Sequence, residues 1–409
     1  MLSKTLEGIK SIENFPLEDK RVFLRLDLNV PMDDYGKITD DTRIRAAMPT
    51  IRYTIDKGAK VILASHLGRP KGGPDPKYSL EPVAEYLTKA LDREIILVEE
   101  PRGHAPKALL AGLKPSQVIL LENLRFDPGE EKNDREFAQA LVSFSDIYIN
   151  DAFGASHRAH ASIVAMPELM EKRGIGFLMK KEIEMLDTVR MNPSHPFLTI
   201  LGGAKVSDKI EVIEVLMDKV DSMIIGGAMA YTFLAAKNIS TGKSLVEKDK
   251  VKFAQELMQR AEARNKKILL PVDHRITQDI KDTKSLKVTE GVSIPDGWMG
   301  IDIGPKTLAE YAKEIGKAKT VFWNGPMGVF ETPEFAQGTF GVARAISESK
   351  AISVVGGGDS AAAAQASGLA DKFTHISTGG GASLEFLQGD KLPGIEALRA
   401  AKRSEKIEE

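Results

Sequence analysis

Short runs of aliphatic and β-branched residues alternate along the chain with longer stretches whose apolar positions recur every three or four residues. The first kind reads as strands and the second as amphipathic helices. Strand runs fall at Val22 to Leu26, Val61 to Ser65, Ile95 to Val98, Val118 to Leu121 and Ile147 to Asn150. Helical patterns lie between them, as at Ile44 to Lys57, Leu80 to Leu91 and Asp134 to Phe144. The strand runs are apolar almost throughout rather than alternating, which predicts parallel strands buried on both faces. The pattern then restarts at Phe197 to Leu201, Met223 to Ile225, Ile268 to Leu270, Thr320 to Trp323 and Ile352 to Val355.

Two successive series of this kind predict an α/β chain of two doubly wound, parallel-sheet (Rossmann-like) domains joined by a helical hinge. The hinge is the charged helical pattern Phe177 to Met191, stopped by Asn192-Pro193-Ser194-His195-Pro196. The expected boundaries are a first domain at 1–176, a connecting helix at 177–194 and a second domain at 195–391. A last helix and polar tail at 392–409 are expected to pack back toward the first domain.

Length and composition agree with two or three domains: 409 residues, 42% hydrophobic and 28% charged. Lys and Arg number 56 against 58 Asp and Glu, so no global charge draws the chain to nucleic acid or an anionic membrane. There is no cysteine, which excludes a disulfide scaffold, a thiolate metal site, an iron–sulfur cluster and a cysteine nucleophile. The first residues lack the apolar run of a signal peptide, and no apolar stretch reaches ~18 residues. A cytoplasmic protein is expected, and the missing cysteines suit a reducing compartment.

In parallel α/β sheets, ligands bind beyond the carboxyl ends of the strands. In the first half those ends are basic and polar. They read Asp27-Leu28-Asn29 with Arg43 soon after, then Ser65-His66-Leu67-Gly68-Arg69-Pro70, Glu122-Asn123-Leu124-Arg125, and Asn150-Asp151-Ala152-Phe153-Gly154 followed by His157-Arg158-Ala159-His160. Four arginines at equivalent strand ends suit a small polyanion, because the guanidinium pairs bidentately with phosphate or carboxylate. His66 would add a donor whose charge follows pH. His157 and His160 read equally well as structural.

In the second half the strand ends are glycine-rich: Gly202-Gly203-Ala204-Lys205-Val206-Ser207-Asp208-Lys209, Gly226-Gly227-Ala228, Asn324-Gly325-Pro326-Met327-Gly328-Val329-Phe330-Glu331, Gly356-Gly357-Gly358-Asp359-Ser360 and Ser377-Thr378-Gly379-Gly380-Gly381. Glycine lets backbone N–H groups approach a ligand, and a helix N-terminus favours its negative charge. Five such loops point to a nucleotide. A Walker A loop is absent, since Gly242-Lys243-Ser244 has Lys237 where the first glycine belongs. Gly356-x-Gly358-x-x-Ala361 matches a relaxed dinucleotide fingerprint, and a nicotinamide-dependent oxidoreductase is therefore one rival. No ribose-binding acid follows about 20 residues on, and Asp359 inside the loop would repel a pyrophosphate. Asp359 fits a magnesium ligand better, with a helix N-cap as the plain alternative. Lys205 and Lys209 flank a helix start where they could reach phosphate oxygens.

These motifs, taken together and in order, resemble the phosphoglycerate kinase family over essentially the whole chain. They are Arg25 to Pro31, Ser65 to Pro70, Glu122 to Phe126, Asp151 to Gly154 with His157 to His160, Gly202 to Ile210, Trp323 to Glu331 and Gly356 to Ser360. The resemblance implies reversible phosphoryl transfer between 1,3-bisphosphoglycerate and ADP, giving 3-phosphoglycerate and ATP, with Mg2+ as cofactor. By resemblance Asp27, Asn29, Arg43, His66, Leu67, Gly68, Arg69, Arg125 and Arg158 match glycerate-binding positions. Lys205, Lys209, Gly227, Asn324, Glu331, Gly357, Gly358, Asp359 and Ser360 match nucleotide-binding positions, with Glu331 on the ribose and Asp359 on the metal. Arg43, Lys205 and Gly380 match positions around the moving phosphoryl. Ser360 stands where many relatives have threonine. The resemblance further implies a monomer whose domains close for direct in-line transfer, small-molecule partners only, and no nucleic-acid or membrane partner. A non-catalytic relative that keeps only the anion-binding surface is a second rival, and intact Arg43, Lys205 and Asp359 speak against it.

Overall fold

In a computed structural model, residues 3–399 of the chain are described. They form two compact units. The first runs to Glu184 and takes in the described residues from Lys391 onward; the second is Met185–Asp390. The chain passes from one to the other inside the helix Phe177–Met191.

The first unit is built on six parallel strands: β1 (Arg21–Leu26), β2 (Lys60–Ala64), β3 (Ile95–Val98), β4 (Val118–Leu121), β5 (Ile147–Asp151) and β6 (Arg173–Ile175). Their order is β3-β4-β2-β1-β5-β6. The register sets Arg25 of β1 beside Ala64 of β2 and Asn150 of β5, so three strands end level and release their loops side by side. Val22, Leu24, Val61, Leu63, Leu120 and Ile149 fill one core with Ile44, Ile51 and Leu87 from the covering helices. That double burial is why the strand runs are apolar throughout.

The second unit repeats the plan with β7 (Phe197–Leu201), β8 (Ser222–Ile225), β9 (Lys267–Leu269), β10 (His274–Thr277), β11 (Lys287–Val288), β12 (Met299–Ile303), β13 (Thr320–Asn324), β14 (Ile352–Val355) and β15 (His375–Ile376). Six are parallel in the order β15-β14-β13-β7-β8-β9. The other three form a small antiparallel sheet, β11-β10-β12, inserted between β9 and β13. The strand order along the large sheet reverses between β7 and β13, the place where such sheets open a ligand crevice.

The two doubly wound α/β sheets expected from the pattern are thus present. Three features were not in it, and a fourth is shorter than expected. β6 and β15 are too short, at three and two residues, to register as apolar runs. The small antiparallel sheet is polar and interrupted, with a register shift between Arg275 and Ile276. The expected final helix is only one turn, Pro393–Glu396. Gly394 there lies against the first unit's own backbone, donating to Ser156 O at 2.9 Å. A Cβ at Gly394 would meet Ser156 Cα at 2.9 Å. Arg399 continues this contact by donating to Thr5 O and Glu7 O at 2.8 and 2.6 Å. The rest of the expected tail lies outside the described residues. Among those described, no helix is long and apolar enough to cross a membrane.

Candidate active site

Beyond the carboxyl ends of β1, β2 and β4, the first unit assembles a web around one residue, Gly68, and the peptides on either side of it. Asn29 Oδ1 accepts from Gly68 N at 2.8 Å, and Arg125 Nη1 donates to Gly68 O at 2.7 Å. Gly68 has φ +58, and a Cβ would meet the Tyr78 ring at 2.3 Å, so a side chain there would be strained and would have to displace that ring. Leu67 is buried, and its N–H donates to Asn123 Oδ1 at 3.2 Å. Leu67 therefore serves the site through its position in the core. Arg43, from the first turn of the helix Thr42–Asp56, places Nη1 2.8 and 2.9 Å from the two oxygens of buried Asp27. The pair leaves the rest of the half-exposed guanidinium for a ligand. Arg158 is part-buried, with Nε on His157 Nε2 at 3.2 Å, and Arg69 is exposed.

His66 is 4% exposed, and its pKa lies well below the usual histidine value. Burial is the main cause, and the positive charges of Arg25, Arg125, Arg158 and Arg43 add to it. The expectation of a pH-dependent charge is thereby corrected: His66 is a neutral donor and acceptor. His160 is pushed down to about 3 by burial and by Arg125, Arg25 and Arg158, in keeping with its structural reading.

Beneath this rim lies a group of which the motifs held Arg25 but gave it no role. Arg25 is fully buried in β1, donates from Nε to Ser162 Oγ at 2.7 Å and faces His66 Nδ1 at 3.4 Å. Fully buried Glu130 lies 3.9 Å from Arg25 and accepts from Ser162 N at 2.9 Å. The signal was available: a lone arginine inside an apolar strand is costly unless paired.

In the second unit the crevice at β7 and β13 is closed by glycine contacts. A Cβ at Gly202 would lie 2.1 Å from Pro326 O, and one at Gly227 would lie 2.4 Å from Gly203 N. Gly227 is buried and its own N–H is spent on Met327 O at 2.9 Å. Its place is therefore in packing the loops, and its amide is not free for a ligand. Lys209 ends a 3-10 turn, Ser207–Lys209, ahead of the helix Ile210–Met217. Its ammonium donates to Asn324 Oδ1, and burial lowers its pKa. Asn324 Nδ2 donates to Gly356 O at 2.6 Å, which ties the Lys209 turn to the fourth glycine loop.

That loop opens the helix Gly358–Ala366, whose N-cap is Gly357 at φ +91. Asp359 stands in the first turn, exposed, so the cap alternative for it is overturned. Ser360 is buried, and its Oγ accepts from Gly325 N at 2.5 Å. A hydroxyl so placed holds the loop together whether or not it also meets a ligand. Glu331 and Lys205 are exposed. Gly380 is the N-cap of the helix Gly381–Gln388, with open space where a side chain would be. Among the described residues, no three acidic, histidine or cysteine side chains gather as a metal site.

An arginine-lined rim on one α/β sheet and a glycine-and-lysine crevice on another define a phosphotransferase of the two-sheet α/β kind. The model of the phosphoglycerate kinase family matches residues 12–390. A phosphoglycerate kinase of Bdellovibrio bacteriovorus is 61% identical over 398 residues, 97% of this chain and 99% of its own length. One of Anaeromyxobacter dehalogenans is 54% identical over 392 residues, 95% of this chain and 99% of its own. Among solved structures, the phosphoglycerate kinase of Coxiella burnetii is similar at a TM-score of 0.86 and 41% identity, covering 95% of this chain and 98% of that one. That of Pyrococcus horikoshii gives 0.83 and 37%, with the same coverage. The chain belongs to the phosphoglycerate kinase family, and the nicotinamide rival falls.

Proposed function

We propose that the rim of the first unit binds the glycerate substrate, that the crevice of the second binds ADP or ATP, and that the phosphoryl group passes directly between them. The reaction is the reversible transfer from 1,3-bisphosphoglycerate to ADP. The observation that carries the residue-level reading is the division of chemistry. Arginines cluster at the ligand end of one sheet, lysines and glycine loops at that of the other.

An acyl phosphate is already activated, so the protein's task is positioning and charge stabilisation rather than nucleophilic attack. Arg43, braced by Asp27, and Lys205 would meet the equatorial oxygens of the moving group, with backbone N–H groups near Gly380. Asn29, His66, Arg69, Arg125 and Arg158 would hold the substrate's carboxylate and phosphate. Neutral His66 would offer one N–H without adding charge. Lys209, Gly357, Gly358 and the turn Ser360 supports would take nucleotide phosphates, and Glu331 the ribose hydroxyls.

Asp359 would hold magnesium. An exposed carboxylate in the first turn of a helix suits an ion that arrives with the nucleotide and keeps most of its ligands as phosphate oxygens and water. When bound, the ion neutralises charge on the phosphate oxygens. Reacting atoms must come within ~3–3.5 Å, so ligands held on separate units require the units to close. A monomer in the cytoplasm completes the proposal.

The test is turnover with 3-phosphoglycerate, ATP and magnesium, with the acyl phosphate trapped by a following reduction. Loss of turnover with a chelator and in Lys205→Ala supports the reading. Folded protein that binds ADP but does not turn over would leave a nucleotide-binding relative with another acceptor.

A further inference from the structure

We propose that Glu247 is a positioning residue that sets the place of Lys205. The proposal rests on the reading of Lys205 as the lysine that faces the moving phosphoryl. Lys205 sits in an irregular span after β7. Upstream the span is pinned at Gly203, whose N–H donates to Pro326 O at 3.0 Å and whose carbonyl accepts from Met229 N at 3.1 Å. Among the described residues, no hydrogen bond is made by the main-chain N–H of Ala204 or Lys205, and both residues are exposed.

The next hold is Glu247. Its Oε2 accepts from Val206 N and, at 3.2 Å, from Ser207 N, while Oε1 accepts from Ser207 Oγ at 2.6 Å. The Val206 N–H belongs to the peptide plane that carries the Lys205 carbonyl, so this bond fixes the direction in which the chain leaves Lys205. Glu247 is itself anchored, with its N–H on Thr232 Oγ1 at 3.1 Å. Thr232 lies on the helix Met229–Ala236, the helix whose first residue holds Gly203. Lys205 is thus suspended between two points of one helix, and the second point is reached through a single carboxylate. Buried Val206 seats the Cα but does not orient the peptide.

The test is a double-mutant cycle on the full chain with kcat, both KM values and the urea midpoint. A misplacement near 1 Å costs up to about a hundredfold in rate, so Glu247→Ala should lower kcat about 10- to 100-fold and leave the phosphoglycerate KM within about twofold. Glu247→Gln keeps an acceptor for the amides and a donor for Ser207 Oγ, and should recover most of the loss. In a Lys205→Ala background, Glu247→Ala should add little. Full multiplication of the two losses, or an unchanged kcat in Glu247→Ala, overturns the proposal while leaving Lys205 in its role. Faster turnover with tighter ADP binding in Glu247→Ala overturns it in favour of a carboxylate that obstructs the amides. A Lys205→Ala enzyme with normal kcat overturns the role of Lys205 and this inference with it.

Discussion

Gly227→Ala is the sharpest probe of how the nucleotide crevice is held. Gly227 has φ +64, and an alanine Cβ would lie 2.4 Å from Gly203 N, 2.5 Å from Gly203 O and 3.0 Å from Pro326 O. Ordinary contact begins near 3.4 Å, so about 1 Å of clearance is missing against two atoms of Gly203. The obstacle is backbone, itself tied down by bonds from Gly203 N to Pro326 O, Met229 N to Gly203 O and Gly227 N to Met327 O. Placing a side chain at positive φ costs about 1–2 kcal/mol, and overpacking a site that cannot yield costs about 1–3 kcal/mol more. Gly368→Ala isolates the first cost, because Gly368 has φ +71 with nothing within 4 Å. Both tryptophans, Trp298 and Trp323, lie in the same unit, so their fluorescence in urea reports its unfolding. The expected result is a Gly227→Ala enzyme less stable than Gly368→Ala by about 1–3 kcal/mol. Its kcat should fall, because the displaced Gly203 lies two residues before Lys205, while the phosphoglycerate KM holds. Equal stabilities for the two variants would refute the argument that backbone proximity decides this position.

Arg43→Ala should lose turnover by about 10²-fold or more, as removal of one transition-state charge partner does, with an unchanged circular dichroism spectrum; near-normal kcat would reduce Arg43 to a binding residue. Asp359→Ala should weaken the dependence of rate on magnesium, read from metal titrations at fixed ATP. His66 should remain neutral in nitrogen-15 spectra from pH 8 down through the usual histidine pKa near 6.5, because burial and four arginines oppose its protonation. The unfolded chain does protonate there, so His66 withdraws stability as pH falls below about 6.5. Asp302 runs the other way: burial raises its pKa to about 7, so the folded state holds its proton while the unfolded state releases it near 4. Its contribution is present in acid and lost as pH rises from about 4 to 7, at about 1.4 kcal/mol per pH unit. Asp302→Asn should therefore gain on the parent protein between pH 5 and pH 7 in urea titrations; a constant gap would show that Asp302 is ionised throughout.

The sequence by itself determined the two parallel sheets and the loops that carry chemistry. Strands buried on both faces must be apolar along their length, and ligand loops must follow their carboxyl ends, so both are written locally at Val22 to Leu26 and Asp27, or at Thr320 to Trp323 and Asn324. It also determined which residue types could meet phosphate. The small antiparallel sheet stayed hidden because two- to five-residue strands gain their stability from partners rather than from their own pattern. Tertiary structure alone decided the ionisation of His66, since four arginines from β1, the helix Thr42–Asp56 and two later loops converge on it only after folding. It gave Gly227 and Ser360 a part in loop packing that the motifs did not show, because the neighbours they meet, Gly203, Pro326 and Gly325, come from other strand ends. It also joined Glu247 to Val206 across 41 residues. A spacing of that length carries no periodic signal, and the hydrogen bonds that give it meaning exist only where the two loops meet.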